Sequence, residues 1–145
     1  MSRLEPADVP DLPIAFMNAD HLLEAELVNA VEDALLAHGR GIEEVDLVME
    51  RLSLLAVHTR EHFLREESMM REAGFPAYPV HKGEHDRVLA EMNTEARVFR
   101  SSGDGARLAR YLEVTLPSWF RNHLRTMDVA TARFVAGARS GAYAE

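Results

Sequence analysis

The residues best suited to chemistry in this chain are its imidazoles and the carboxylates beside them. Seven histidines occur, at positions 21, 38, 58, 62, 81, 85 and 123. His58, His62 and Glu66 step by four, and so do His81 and His85. Residues four apart share one face of a helix, so each run can turn several donors toward one cation. One such pair alone is most often a solvated polar face, but two on neighbouring helices point to a metal site. Imidazole with carboxylate suits iron, manganese or zinc. There is no cysteine, which excludes disulfides, thiol nucleophiles and iron–sulfur clusters. HExxH, GxGxxG, GxSxG and the P-loop pattern are absent too. Zinc-protease, dinucleotide, nucleophile-elbow and NTPase chemistry therefore have no support.

Helices must position these donors. Apolar residues recur at helical spacing, and no stretch of strand length alternates strictly. The pattern predicts helices over 19–38, 42–73, 79–100 and 105–137. Asn18 is expected to cap the first and Gly39 to close it, while Gly74 closes the second and Pro79 suits the first turn of the third. Residues 101–105 read as a loop. Pro117 should kink the last helix, because it leaves the Glu113 carbonyl without its N–H partner. At about 100° per residue, Leu23, Leu27, Val28, Ala30, Val31, Ala34 and Leu35 form one apolar arc on the first helix. Glu26, Asn29, Glu32 and Asp33 fall outside it; Glu24 falls near its middle. His38 reads as a C-terminal cap favoured by the helix dipole, and Met69 and Met70 as core filler. The expected fold is all-α, an up-down-up-down four-helix bundle over 18–138. An extended N-terminal arm, 1–17, precedes it and a C-terminal tail, 139–145, follows.

At 145 residues and formal charge −8 this is one acidic domain. Acidity argues against nucleic acid and against anionic membrane surfaces as partners. No apolar run approaches the roughly 20 residues of a membrane span. The first residues carry no apolar export segment, so a cytoplasmic protein is expected. Oligomeric state stays open.

The run His62-Phe63-Leu64-Arg65-Glu66-Glu67, followed by His81-Lys82-Gly83-Glu84-His85, resembles the hemerythrins, in particular the bacterial single-domain type. His123-Leu124-Arg125-Thr126-Met127-Asp128, preceded by Trp119, is similar to their last-helix motif, and His21 stands at the position of their first-helix ligand. The likeness covers about residues 14–136. It implies a non-haem centre of two irons bridged by an oxo or hydroxo group and two carboxylates. On that likeness His81, His85 and His123 hold one iron, His21 and His62 hold the other, and Glu66 and Asp128 bridge both. Asp128 rests on the resemblance alone, since five residues past His123 is about 140° round a regular helix. The ligand set leaves one octahedral position open on the iron held by His21 and His62. The resemblance implies that dioxygen, or another small diatomic or peroxide ligand, binds there. An apolar pocket that excludes water would then favour carriage over activation.

Two residues depart from that pattern. The family normally places an aliphatic side chain where Glu24 stands, lining the oxygen pocket with the counterparts of Phe63, Trp119 and Phe120. A buried carboxylate needs a partner or a proton. His58 lies one turn before His62, and antiparallel helices should bring Glu24 toward it. Three arrangements stay open: a self-satisfied Glu24–His58 pair, either residue reaching the open iron position, or one of them turned to solvent. The leading function is a dioxygen-binding protein for carriage, storage or sensing, rather than an enzyme. The alternative is a di-iron redox enzyme or sensor of peroxide, nitric oxide or iron and redox state, with Glu24 or His58 occupying or modifying the open position. The histidine-rich donor set, without the paired Glu-x-x-His of ferritin-like enzymes, favours binding; Glu24 favours the alternative. A signalling module whose partner senses the iron is a third possibility, weakened by the lack of a fused output domain.

Overall fold

The computed structural model describes residues 3–37 and 42–140. Helix α1 spans Ala15–Ala37, α2 spans Ile42–Ala73 and α3 spans Tyr78–Ser102. A fourth helical stretch, α4 (105–139), is built from consecutive segments. These are α-helical Gly105–Arg110, a π turn at Tyr111–Thr115, α-helical Leu116–His123, a second π turn at Leu124–Asp128 and α-helical Val129–Arg139. No strand occurs among the described residues. Each helix packs on the next, and α4 closes back on α1 and α2. Short connections make neighbours antiparallel, so the result is an up-down-up-down four-helix bundle.

The helix ends follow local chemistry. Gly74 and Gly103 both take φ 69°, the left-handed conformation that closes α2 and α3 without a Cβ penalty. The Gly103 N–H reaches the Phe99 carbonyl at 2.7 Å. Asp104 then caps α4, accepting from the Ala106 N–H at 3.1 Å. Pro79 stands in the first turn of α3, where no N–H is needed. The expected closing of the first helix by Gly39, and the His38 cap, lie outside the described residues.

Two local expectations are corrected. Asn18 does not cap α1, which starts earlier, at Ala15. Its side-chain amide instead grips the arm, accepting from the Leu12 N–H and donating to the Leu12 carbonyl, both at 2.9 Å. The apolar arc on α1 is rotated from the one expected. Leu23 is 43% exposed, whereas Glu32 is buried. The inward stripe runs through Met17, His21, Glu24, Val28 and Val31, because the polar members at 21 and 24 have buried partners of their own. Burial, and then the nearby Glu113, push the Glu32 carboxyl upward. At Pro117, where a kink is expected, the helix departs from regular α geometry just before the proline. The π turn before it, with the Leu116 N–H reaching back to the Tyr111 carbonyl, adds a residue that lets the helix run on.

The arm is part of the packing. It makes a short 3₁₀ turn at Pro6–Asp8 and buries Leu4, Leu12 and Ile14. Arg121 of α4 holds it, donating to the Arg3 carbonyl at 3.1 Å and pairing with Asp8 at 3.2 Å. The interior is filled by side chains such as Leu52, Leu55, Met92, Leu112 and Leu124. Met69 and Met70 are buried as well. None of the described helices is long and apolar enough to cross a membrane.

Candidate metal centre

All four helices send donors into one buried volume. His21 comes from α1, His62 and Glu66 from α2, His81 and His85 from α3, and His123 and Asp128 from α4. Each is at most 4% exposed. The i, i+4 spacing places His62 with Glu66, and His81 with His85, on inward faces. Asp128 reaches the same volume because of the second π turn. An i→i+5 turn carries one extra residue, so positions five apart, here His123 and Asp128, come round to the same side. A regular α-helix would have turned that carboxylate well away.

The two carboxylates face two ways. Glu66 Oε2 lies 3.1 Å from His21 Nε2 and 2.8 Å from His62 Nε2. Glu66 Oε1 lies 3.4 Å from His85 Nε2 and 3.8 Å from His81 Nε2. Asp128 divides in the same sense: Oδ2 is 3.1 Å from His21 Nε2, and Oδ1 is 3.1 Å from His81 Nε2 and 3.2 Å from His123 Nε2. The donors thus form a pair, His21 and His62, and a trio, His81, His85 and His123, with both carboxylates between them.

These groups are close together and incompletely satisfied by one another. Glu66 Oε1, His85 Nε2 and both Asp128 oxygens are buried without a hydrogen-bond partner. His81 Nε2 and His123 Nε2 face each other at 3.1 Å. That is close to the spacing of adjacent donors on one octahedral cation with metal–nitrogen bonds of about 2.1 Å. Buried polar atoms without partners are rare and call for a ligand. The donor set therefore fits a cation on each side of the carboxylates.

The electrostatics agree with such a use. Burial, and the repulsion between them, oppose ionisation of Glu66 and Asp128, yet the facing imidazoles hold both well below the usual carboxylate range. Burial depresses the His81 ring. Burial also acts against a charged His62, but Glu66 and Glu24 outweigh it and hold that ring well above its ordinary value.

Behind the donors stands a supporting layer. His85 Nδ1 meets Glu67 Oε2 at 2.9 Å, and His81 Nδ1 meets Thr131 Oγ1 at 2.8 Å. Phe63 stacks flat on His85, with centroids 3.8 Å apart. Trp119 stacks on His123 at 4.4 Å and donates its indole N–H to Glu84 at 2.7 Å. Phe120 stands edge-on to His21 at 6.1 Å. Phe63 and Phe120 are buried, whereas Trp119 is half-buried and lies against the trio.

Glu24 and His58 are both buried, so neither is turned to solvent. Nor are they simply a pair. His58 Nε2 is 3.0 Å from the Asp20 carbonyl oxygen and 3.6 Å from Glu24 Oε1. Glu24 instead accepts from the Thr59 hydroxyl at 2.6 Å and meets His62 Nδ1 at 3.4 Å. Thr59 and Thr131 had no signal in the sequence, since a threonine one turn from a donor looks like any packing residue.

Comparison with known proteins identifies the family. Residues 12–130 match the family model of the hemerythrin HHE cation binding domain. The bacteriohemerythrin of Aquifex aeolicus (strain VF5) is 29% identical over 130 residues, covering 90% of this chain and 95% of that protein. That of Ralstonia nicotianae is 39% identical over 114 residues, covering 79% and 75%. A crystal structure of a mutant protein, 22% identical, aligns with a TM-score of 0.71 over 91% of this chain and 95% of its own. That last likeness speaks for the fold alone. The chain belongs to the hemerythrin family of non-haem iron-binding domains.

Proposed function

We propose that this chain binds two iron ions in the bundle core, bridged by an oxo or hydroxo group, and takes up dioxygen reversibly there. The observation that carries this reading is the division of the two carboxylates, each turning one oxygen to the His21/His62 pair and the other toward the trio. A single-cation site would not need that arrangement. His81, His85 and His123 would hold one iron, His21 and His62 the other, with Glu66 and Asp128 joining them. Iron, when bound, would supply the redox electrons and a position for a small ligand. The pair offers fewer donors than the trio, so an open position would fall on its side.

The side chains supply orientation and dryness. Glu67 and Thr131 fix the tautomers of His85 and His81 by engaging Nδ1, which leaves Nε2 free to donate its lone pair. Phe63 and Phe120 keep water from the donors. Excluding water removes the easiest proton source and so favours binding over turnover. Glu24 supports the second reading, a redox enzyme or sensor, because it puts a carboxylate beside His62. The test is metal analysis of the iron-loaded protein with optical spectra of the reduced form before and after air. Two irons per chain, with a visible charge-transfer band that forms in air and bleaches on deoxygenation, are expected. Rapid oxidation without a lasting band would favour the second reading.

A further inference from the structure

Glu24 stands behind His62, and its position assigns it a specific task. His62 presents Nε2 to Glu66 at 2.8 Å, so that nitrogen faces the centre. Nδ1, on the other side of the ring, faces Glu24 Oε1 at 3.4 Å. A neutral imidazole that offers its Nε2 lone pair to a cation carries its proton on Nδ1, and Glu24 is placed to accept it. The Thr59 hydroxyl locks the other carboxylate oxygen at 2.6 Å.

Glu24, His58 and His62 also bring three potential donor atoms together. They do not make a further cation site. His58 Nε2 donates to the Asp20 carbonyl at 3.0 Å, and with Nε2 turned to a cation His62 Nδ1 would carry the proton that Glu24 accepts. Two of the three nitrogen and oxygen atoms are thereby committed, and a cation would need both as bare lone pairs.

We propose that Glu24 is a positioning residue for His62, and through it sets the iron affinity and reduction potential of the His21/His62 half of the centre. This rests on the di-iron reading above. The two halves are supported unequally. In the trio, Glu67 and Thr131 back two histidines. In the pair, His21 Nδ1 is buried without a hydrogen-bond partner, so Glu24 is the support on that side. A carboxylate behind an imidazole fixes its orientation and raises its basicity. A more basic ligand stabilises ferric iron over ferrous. The half that would take the exogenous ligand is therefore tuned toward electron donation.

The experiment compares iron-loaded wild type with Glu24→Gln, Glu24→Leu and Thr59→Val, with helical content checked by circular dichroism. Thr59→Val keeps the carboxylate and removes the hydroxyl that holds it, together with that hydroxyl's 2.8 Å approach to the Leu55 carbonyl of its own helix, so it serves if the Glu24 variants fold poorly. The readouts are iron stoichiometry under competing chelator, the midpoint potential, the hyperfine-shifted imidazole N–H resonances, and azide binding to the ferric protein. Loss of one of the two irons at about 10–100-fold lower chelator concentration is expected in the Glu24 variants. A raised potential and a shifted or lost N–H resonance should accompany it, and Thr59→Val should move the same way by less. Wild type should already bind azide. If wild type takes up two irons but the variants match it in affinity and potential, the inference falls alone. If wild type refuses azide and Glu24→Leu accepts it, Glu24 is a ligand, and the positioning role is wrong. If wild type takes up fewer than two irons, the di-iron reading falls and takes this inference with it.

Discussion

Removing the metal should cost this protein a large share of its stability. Four atoms at the centre, Glu66 Oε1, His85 Nε2 and the two Asp128 oxygens, are buried with no hydrogen-bond partner. Each such atom costs about 1–3 kcal/mol when left unsatisfied, or roughly 4–12 kcal/mol together. Protons can replace part of what a cation does, since His21 and His62 are both held above their ordinary value by the facing carboxylates despite burial. The low end, about 4 kcal/mol, is therefore the better figure. It is a substantial fraction of the roughly 5–15 kcal/mol that holds a domain folded. Mass action gives a similar size: free metal at a thousandfold its dissociation constant contributes about 4 kcal/mol. At about 2–4 °C per kcal/mol for a chain near this length, the melting temperature should fall by roughly 8–16 °C. The assay is calorimetry of iron-loaded protein beside the same protein stripped with chelator under reduction. A shift below about 2 °C would mean that the unpaired atoms find other partners at little cost, and that the centre is not built around a cation.

Three further outcomes are expected. The chain has one tryptophan, stacked on His123; iron loading should strongly quench its fluorescence, and unchanged emission would place iron elsewhere. Deleting Thr126 removes the extra residue, so the second π turn should close into regular α-helix with Asp128 four residues after His123 and still on the same face; bound iron should stay at two per chain, and its loss would refute the reading of that turn as a one-residue insertion. Burial opposes ionisation of Asp8, but the Glu5 N–H and then Arg121 outweigh it and lower its carboxyl below the ordinary value. A lowered carboxyl stabilises the fold above its unfolded value and loses that contribution as pH falls through the folded one. Asp8→Asn should therefore cost a few tenths to about 1 kcal/mol at neutral pH, discounted for exposure, with the gap in urea midpoint closing in acid. A gap that persisted in acid would show that the Arg121 clasp does not depend on charge.

Helical spacing carried much of this architecture, because a period near four is visible wherever donors or apolar residues repeat on one helix. His62 with Glu66, and His81 with His85, were legible for that reason. Asp128 was not, since its place depends on a π turn that breaks the period. His21 has no donor partner on its own helix, so local spacing could not single it out. The resemblance supplied both. Asn18 looked like a cap because its side chain suits one, but the same amide can bond a neighbouring strand of backbone, and here the arm takes it. Glu24 fell near the middle of the expected apolar arc with its surroundings left open; it is buried, and its partners proved to be Thr59 and His62 rather than His58 alone. Partner choice across a helix seam depends on sub-ångström register, which a wheel does not resolve.

The origin of the donors on four separate helices bears on how long the fold lasts once made. His21 meets Glu66 across 45 positions, and His81 meets His123 across 42. A cation held by such groups would close long loops in the manner of a cross-link, and the entropy withheld from the open chain grows with the logarithm of loop length. Contacts this distant in sequence form late in folding, so their energy slows the escape from the native state more than it speeds arrival there. The metal would then act on lifetime: the loaded bundle would survive proteases and heat through slow opening, and would be released for turnover when its iron is withdrawn.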